Sequence, residues 1–140
     1  MDNTYKKLIL FTKDEGLQKV LAECVGNDSV FEYHYDADLE QIDFTNTVTV
    51  LDYDSEEDSV EALLLAVSMR AGFDNKVIVV SKNCERKIVA DCAKKGASRF
   101  IVKPLTKKRF KRFLLPYLID EASPELTNET TNESIDESTF

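Results

Sequence analysis

Apolar and polar positions fall into two kinds of block that alternate along the chain. Leu8-Ile9-Leu10-Phe11 is a short continuous apolar run, the pattern of a strand covered on both faces. After the polar stretch Thr12–Gly16, Leu17, Val20, Leu21 and Cys24 recur at helical spacing, and Gly26-Asn27 ends that helix. Residues 30–35 are aromatic-rich and alternate less cleanly, which predicts a second strand nearer the sheet edge. Between 36 and 46 only a short helix around Leu39–Phe44 is expected.

The run Thr47-Val48-Thr49-Val50-Leu51 predicts a central buried strand that Asp52 terminates. Ser55 and Asp58 are spaced as a capping box for a helix whose buried stripe is Val60, Leu63, Leu64 and Val67, with Gly72 in its C-terminal turn. A fourth strand, Lys76–Ser81, precedes a helix from about Cys84 to Lys95 that Gly96 stops. Arg99–Val102 is a fifth strand, closed by Lys103-Pro104. Thr106 caps a last helix with Phe110, Phe113, Leu114 and Tyr117 on one face, and Pro116 predicts a kink or an early end. Five strands alternating with helical stretches predict an α/β fold: a flavodoxin-like, doubly wound, five-stranded parallel sheet of order 2-1-3-4-5 with helices on both faces.

Composition sharpens this picture in three places. The 140 residues, 43% of them hydrophobic, suffice for one domain with a core that needs no staples. Cys24, Cys84 and Cys92 form no CxxC pair; Cys84 and Cys92 on one helix would stand about 12 Å apart, too far to bridge, so reduced thiols and a cytoplasmic setting are expected. The net charge of −8 is uneven: six of the 26 acids and none of the 18 basic residues lie from Glu121 onward. The expectation is therefore a near-neutral domain over residues 1–120 and an acidic, disordered tail over 121–140. That balance argues against nucleic acid as a partner, and no apolar run approaches a membrane span.

In the proposed order, the carboxyl ends of the central strands bring Thr12 and Lys13, Asp52, Ser81 and Lys103 to one crevice, where open α/β sheets bind their ligands. A carboxylate, a hydroxyl and an ammonium meeting there suit an oxyanion transferred onto the carboxylate. The block Val77-Ile-Val-Val-Ser81 and the run Gly96-Ala-Ser-Arg-Phe100-Ile-Val-Lys103-Pro104, at these spacings from Asp52, resemble the receiver domain of two-component response regulators over about residues 5–120. The resemblance implies that Asp52 is the phosphoacceptor, Ser81 the switch hydroxyl, Phe100 the switch aromatic and Lys103 the invariant lysine. It also implies that phosphorylation draws the hydroxyl inward, turns the aromatic and reshapes the surface around the last strand and its flanking helices.

The chain departs from that pattern where receivers carry two adjacent acids that bind Mg²⁺ with the acceptor. Those positions hold Thr12 and Lys13. A slip of one or two residues would recruit Asp14 and Glu15 instead, but would spoil the helix register. Any metal would rest on Asp52 and the backbone of Asp54, so Mg²⁺ is doubtful, and Lys13 and Lys103 are expected to hold Asp52 ionised without a cation. The leading expectation is a stand-alone, non-enzymatic pseudo-receiver that acts through protein partners. The alternatives are a phosphorylatable response regulator served by a histidine kinase and, last, a flavodoxin-like small-ligand binder, for which no phosphate-cradling glycine loop exists. Lys107, Lys108, Arg109, Lys111 and Arg112 mark a docking face for an acidic partner or for the chain's own acidic tail; the partners expected are a histidine kinase or a downstream effector, and a homodimer is a further expectation. His34 reads as structural.

Overall fold

A computed structural model describes residues 6–55, 57–71 and 76–118. Five parallel strands, β1 (Lys7–Phe11), β2 (Val30–Glu32), β3 (Thr47–Asp52), β4 (Lys76–Ser81) and β5 (Arg99–Val102), form one sheet in the order 2-1-3-4-5. Five helices join or follow them: α1 (Glu15–Val25), α2 (Glu57–Ala71), α3 (Arg86–Lys94), α4 (Lys107–Phe113) and α5 (Leu115–Leu118). The strand order and the helical stretches match the reading of the sequence.

Because side chains alternate across a strand, each apolar run feeds two cores. Leu8, Leu10, Val48, Val50, Ile78, Val80 and Ile101 pack with α1, α4 and α5 through residues such as Leu21, Phe110 and Leu118. Ile9, Phe11, Leu51, Val77, Val79 and Phe100 pack with the α2 stripe of Val60, Leu63, Leu64 and Val67 and with Cys92 of α3. Every residue of β3 is buried, as a strand flanked by β1 and β4 and covered on both faces must be. Truncating a fully buried member of either core, Leu21→Ala for instance, should cost about 2–5 kcal/mol.

Four local details depart from the sequence pattern. β2 ends at Glu32: the Tyr33 N–H still donates to the Leu10 carbonyl at 3.0 Å, the chain then turns over His34–Ala37, and the Tyr33 and Tyr35 rings lie beside Phe11. The stretch 36–46 holds only a single 3-10 turn, Leu39–Gln41, capped by Asp38. α3 begins at Arg86, so Cys84 lies in the preceding loop, exposed, while Cys92 is buried on the helix. Ser55 sits in a 3-10 turn, Tyr53–Ser55, rather than acting as a simple helix cap, and Asp58 of the expected capping box lies outside the side chains described. Gly72 and the tail from 121 also lie outside the described residues.

The last helix breaks at Leu114, two residues before Pro116, into α4 and α5. Thr106 caps α4 by accepting from the Arg109 N–H. Gly96, after α3, has φ +114, and a Cβ there would lie 2.0 Å from Ser68 Oγ of α2. Backbone conformation and close packing both demand glycine at that position.

Candidate functional site

The parallel register sets the site. Phe11 lies beside Leu51, Asp52 beside Val80, and Ser81 beside Val102, so four strand ends finish at one level. The residues that follow, or end, these strands are Thr12, Asp52, Ser81 and Lys103. The Lys103 N–H donates to the Ser81 carbonyl at 2.9 Å, which ties the ends of β4 and β5 together. The Tyr35 hydroxyl reaches the carbonyls of both Phe11 (2.9 Å) and Asp52 (2.6 Å), fastening the ends of β1 and β3.

Asp52 is fully buried. Its Oδ1 accepts from Lys103 Nζ at 2.8 Å and from the Asp54 N–H at 3.0 Å. Its Oδ2 accepts from the Thr12 hydroxyl and, at 2.8 Å, from the Ser55 hydroxyl. A carboxylate offers about four lone-pair sites, and here each oxygen has two donors. Both hydroxyls are themselves positioned: Thr12 Oγ1 accepts from the Asp14 N–H at 2.9 Å, and Ser55 Oγ accepts from the Lys13 N–H at 3.0 Å.

Lys103 is the hub. Its ammonium lies 2.8 Å from Asp52, 3.2 Å from Asp14 and 3.4 Å from Asp54, one carboxylate for each of its three protons. Burial works against this charge, but the hydrogen bond and charge of Asp52, followed by Asp14 and Asp54, outweigh it and hold the amine above its ordinary pKa. Asp14 caps α1 by accepting from the N–H groups of Gly16 and Leu17. Burial would raise its carboxyl, yet Lys103 and those cap bonds hold it below the usual range.

Asp54 faces the other half of the crevice. Its Oδ1 accepts from the Ser81 hydroxyl at 2.7 Å, and its Oδ2 accepts from the Lys82 N–H at 2.9 Å. Here too burial pushes upward and loses, in this case to Ser81, Lys82 and Lys103, so Asp54 lies below the usual carboxylate range. Ser81 is fully buried and its hydroxyl meets Asp54, not Asp52. Phe100 is buried in the core under α2 and α3.

The sequence reading thus names Thr12, Asp52, Ser81 and Lys103, and the fold brings them to one place. The cation in contact with Asp52 is Lys103; Lys13 enters the site through its backbone N–H. Two contributors carry no site signal in the sequence: Ser55, three residues past Asp52, reads only as a cap, and Tyr35 gives only an aromatic signal. Asp14, weighed there only through a slip of register, reaches Lys103 with the helix register intact, as the cap of α1. The Asp54 side chain, rather than its backbone carbonyl, forms the contacts.

These donors do not fit Mg²⁺. A Mg²⁺ ion needs carboxylate oxygens open to it in near-octahedral geometry, whereas an ammonium stands among the three carboxylates and two hydroxyls cover Asp52 Oδ2. Among the described residues no group of three His, Cys, Asp or Glu side chains is arranged to hold a metal ion.

The basic face of α4 is less free than its sequence implies. Arg109 donates to the carbonyls of Val102 and Pro104 and stacks on Phe113, as does Arg112. Lys107, Lys108 and Lys111 are exposed, Lys107 beside Glu23 at 3.3 Å. His34 is exposed and its carbonyl closes a turn with the Ala37 N–H. No helix among the described residues is long and apolar enough to cross a membrane.

No protein-family model matches the sequence, and no curated protein does either. Solved structures match in fold. The signal receiver domain of NarL from Mycobacterium tuberculosis is 20% identical, over 76% of this chain and 90% of that one, with a TM-score of 0.60. A response regulator from Burkholderia pseudomallei, solved with a phosphorylated aspartic acid, a calcium ion and citrate, is 13% identical over 94% and 75% of the two chains, TM-score 0.63. CpaE2 from Sinorhizobium meliloti, described as a pilus assembly protein, is 18% identical over 74% and 93%, TM-score 0.56. At these identities the likeness is one of fold: this chain has the receiver-domain fold.

Proposed function

We propose that this receiver-fold protein is a signalling module of the pseudo-receiver kind, which works through protein partners and without metal-assisted phosphoryl transfer. The observation that carries this reading is the closure of Asp52. For an aspartate to take a phosphoryl group, one carboxylate oxygen must attack in line while cations offset the charge that gathers. Asp52 is sealed from solvent, with two donors on each oxygen, and the metal-side position belongs to a threonine hydroxyl. Attack would require a buried carboxylate to shed hydrogen bonds worth about 1.5–3 kcal/mol each before any chemistry began. The Burkholderia structure holds a phosphorylated aspartic acid and a calcium ion together, whereas among the described residues here no group of three His, Cys, Asp or Glu side chains is arranged to hold a metal ion.

Without chemistry at Asp52, the output of the module is its shape. Lys107, Lys108 and Lys111 present exposed positive charge along one side of α4, a surface suited to an acidic protein partner, whether a histidine kinase or a downstream effector. The setting in keeping with reduced cysteines is the cytoplasm.

The test is exposure of the purified protein to a small-molecule phosphodonor, acetyl phosphate, with Mg²⁺, followed by intact mass measurement. The expected spectrum shows no phosphoryl adduct at times sufficient to label a control receiver that carries both acids. An adduct that disappears in Asp52→Asn would refute the reading and establish a phosphorylatable response regulator.

A further inference from the structure

Three donors of different chemistry, two from the end of β4 and one from the end of β5, converge on one side chain. They are the Ser81 hydroxyl, the Lys82 N–H and the Lys103 ammonium, at 2.7, 2.9 and 3.4 Å from the oxygens of Asp54. We propose that Asp54 is a tethered resident anion: its carboxylate fills an oxyanion pocket made by Ser81, Lys82 and Lys103, and its departure exposes a site for a free oxyanion of the phosphate class.

The pocket is built rather than opportunistic. Ser81 is fully buried, and its oxygen accepts from the Asn83 N–H at 2.9 Å, which leaves its proton directed at Asp54. Lys82 follows the last residue of β4, four residues before α3 begins, so its N–H is a loop donor fixed by the sheet. Lys103 is 15% exposed and locked by Asp52 and Asp14. A planar carboxylate takes these donors with two oxygens. A tetrahedral oxyanion has enough oxygens to take the same three, and its greater charge suits a neighbouring ammonium.

Asp54 is placed to leave without unfolding anything. Its N–H is anchored to Asp52 Oδ1, so its Cα is held at the end of β3 while only side-chain torsions carry the carboxylate. That side chain is 14% exposed, so an edge of the pocket already touches water. Two effects exclude a free anion while Asp54 is in place. A group held by a short tether has an effective concentration on the order of millimolar or above. In addition, three carboxylates already share the Lys103 ammonium, so an incoming dianion meets net negative charge. One extension rests on the pseudo-receiver reading: Ser81 engaged and Phe100 buried are what the receiver resemblance associates with a filled site, so Asp54 would hold the module in that state without a phosphodonor.

The experiment is an amide NMR titration with inorganic phosphate at constant ionic strength, on the full chain and its variants. In Asp54→Ala, the Lys82 and Asn83 amides should shift saturably, with a Kd at least about tenfold below that of the unaltered protein. Adding Ser81→Ala to Asp54→Ala should abolish those shifts. Asp54→Asn, which keeps the shape and loses the charge, should fall between and serves if Asp54→Ala does not fold. Phosphate affinity unchanged by either Asp54 variant, or shifts that survive loss of the Ser81 hydroxyl, would overturn the assignment. This result is independent of phosphorylation at Asp52, so an adduct there would sink the functional reading and leave this one standing.

Discussion

Replacing Lys103 with methionine keeps most of the side-chain volume and removes the charge that three carboxylates share. Asp52 is the sensitive partner, because it is fully buried, whereas the Asp14 side chain is 41% exposed and water can take over its solvation. At 2.8 Å and an effective dielectric near 20, the gross Asp52–Lys103 attraction is about 6 kcal/mol. Desolvation of both ions offsets much of that, so the pair contributes far less than the gross figure. Stranding Asp52 without its cation is a different matter, and removing one member of a buried pair costs about 3–5 kcal/mol. Asp52→Asn should cost less, about 1–3 kcal/mol, since Lys103 keeps Asp14 and Asp54 and the amide oxygen still accepts. In the double variant no buried charge is stranded, so the two losses should fall short of additivity by about 2 kcal/mol. Urea unfolding of all four proteins at neutral pH, with unchanged m-values as the check on a common unfolded state, measures the cycle. Additivity within about 0.5 kcal/mol would refute the claim that Lys103 is what makes a buried Asp52 tolerable.

Other consequences follow from single contacts. Gly96→Ala meets both a positive φ and the Ser68 side chain, so it should lower stability by about 1–3 kcal/mol in thermal unfolding; adding Ser68→Ala should restore only part, because the Ser68 Cβ is also close at 2.5 Å. Tyr35→Phe removes the donor shared by the Phe11 and Asp52 carbonyls and should cost about 1–3 kcal/mol, read by urea unfolding, with the Asp52 and Tyr53 amides shifting most. Asp14 and Asp54 lie below the usual carboxylate range, so their stabilisation is complete above about pH 3.9 and is lost as pH falls through their folded values. Lys103 lies above its usual range, so its contribution is complete below about pH 10.4 and is lost as pH rises through its folded value. The Lys82 amide shift should therefore titrate with an acid midpoint below 3.9; a midpoint at or above that value would contradict the Asp54 contacts.

The sheet was legible because parallel strands covered on both faces must be apolar throughout, and Leu8–Phe11, Thr47–Leu51 and Val77–Val80 carry that mark without ambiguity. Asp52, Ser81 and Lys103 were legible for the same reason, since each stands where such a run or its short extension ends. Contacts between loops were not. Ser55 looked like a helix cap because the spacing that places a hydroxyl over a helix start is also the spacing that returns it to Asp52. The sequence marks Lys103 through the Lys103-Pro104 run but leaves open whether Lys13 shares Asp52 with it; the register of β5 beside β4 puts Lys103 at 2.8 Å, and Lys13 enters through its backbone N–H. The short β2 was overread because an aromatic run signals a strand whether its rings extend a sheet or fold over a neighbour such as Phe11.

The most direct test of a receiver fold closed by its own side chains is a Mg²⁺ titration followed by beryllofluoride, read at the amides of Asp54, Lys82 and Phe100. Thr12→Asp, which puts an acid back beside Asp52, serves as the comparison. The unaltered protein should show no saturable shift at millimolar Mg²⁺ and no response to beryllofluoride, while Thr12→Asp should gain a response to the metal. Saturable shifts in the unaltered protein that vanish in Asp52→Asn would contradict this closure and mean that the crevice opens to metal and phosphoryl group after all.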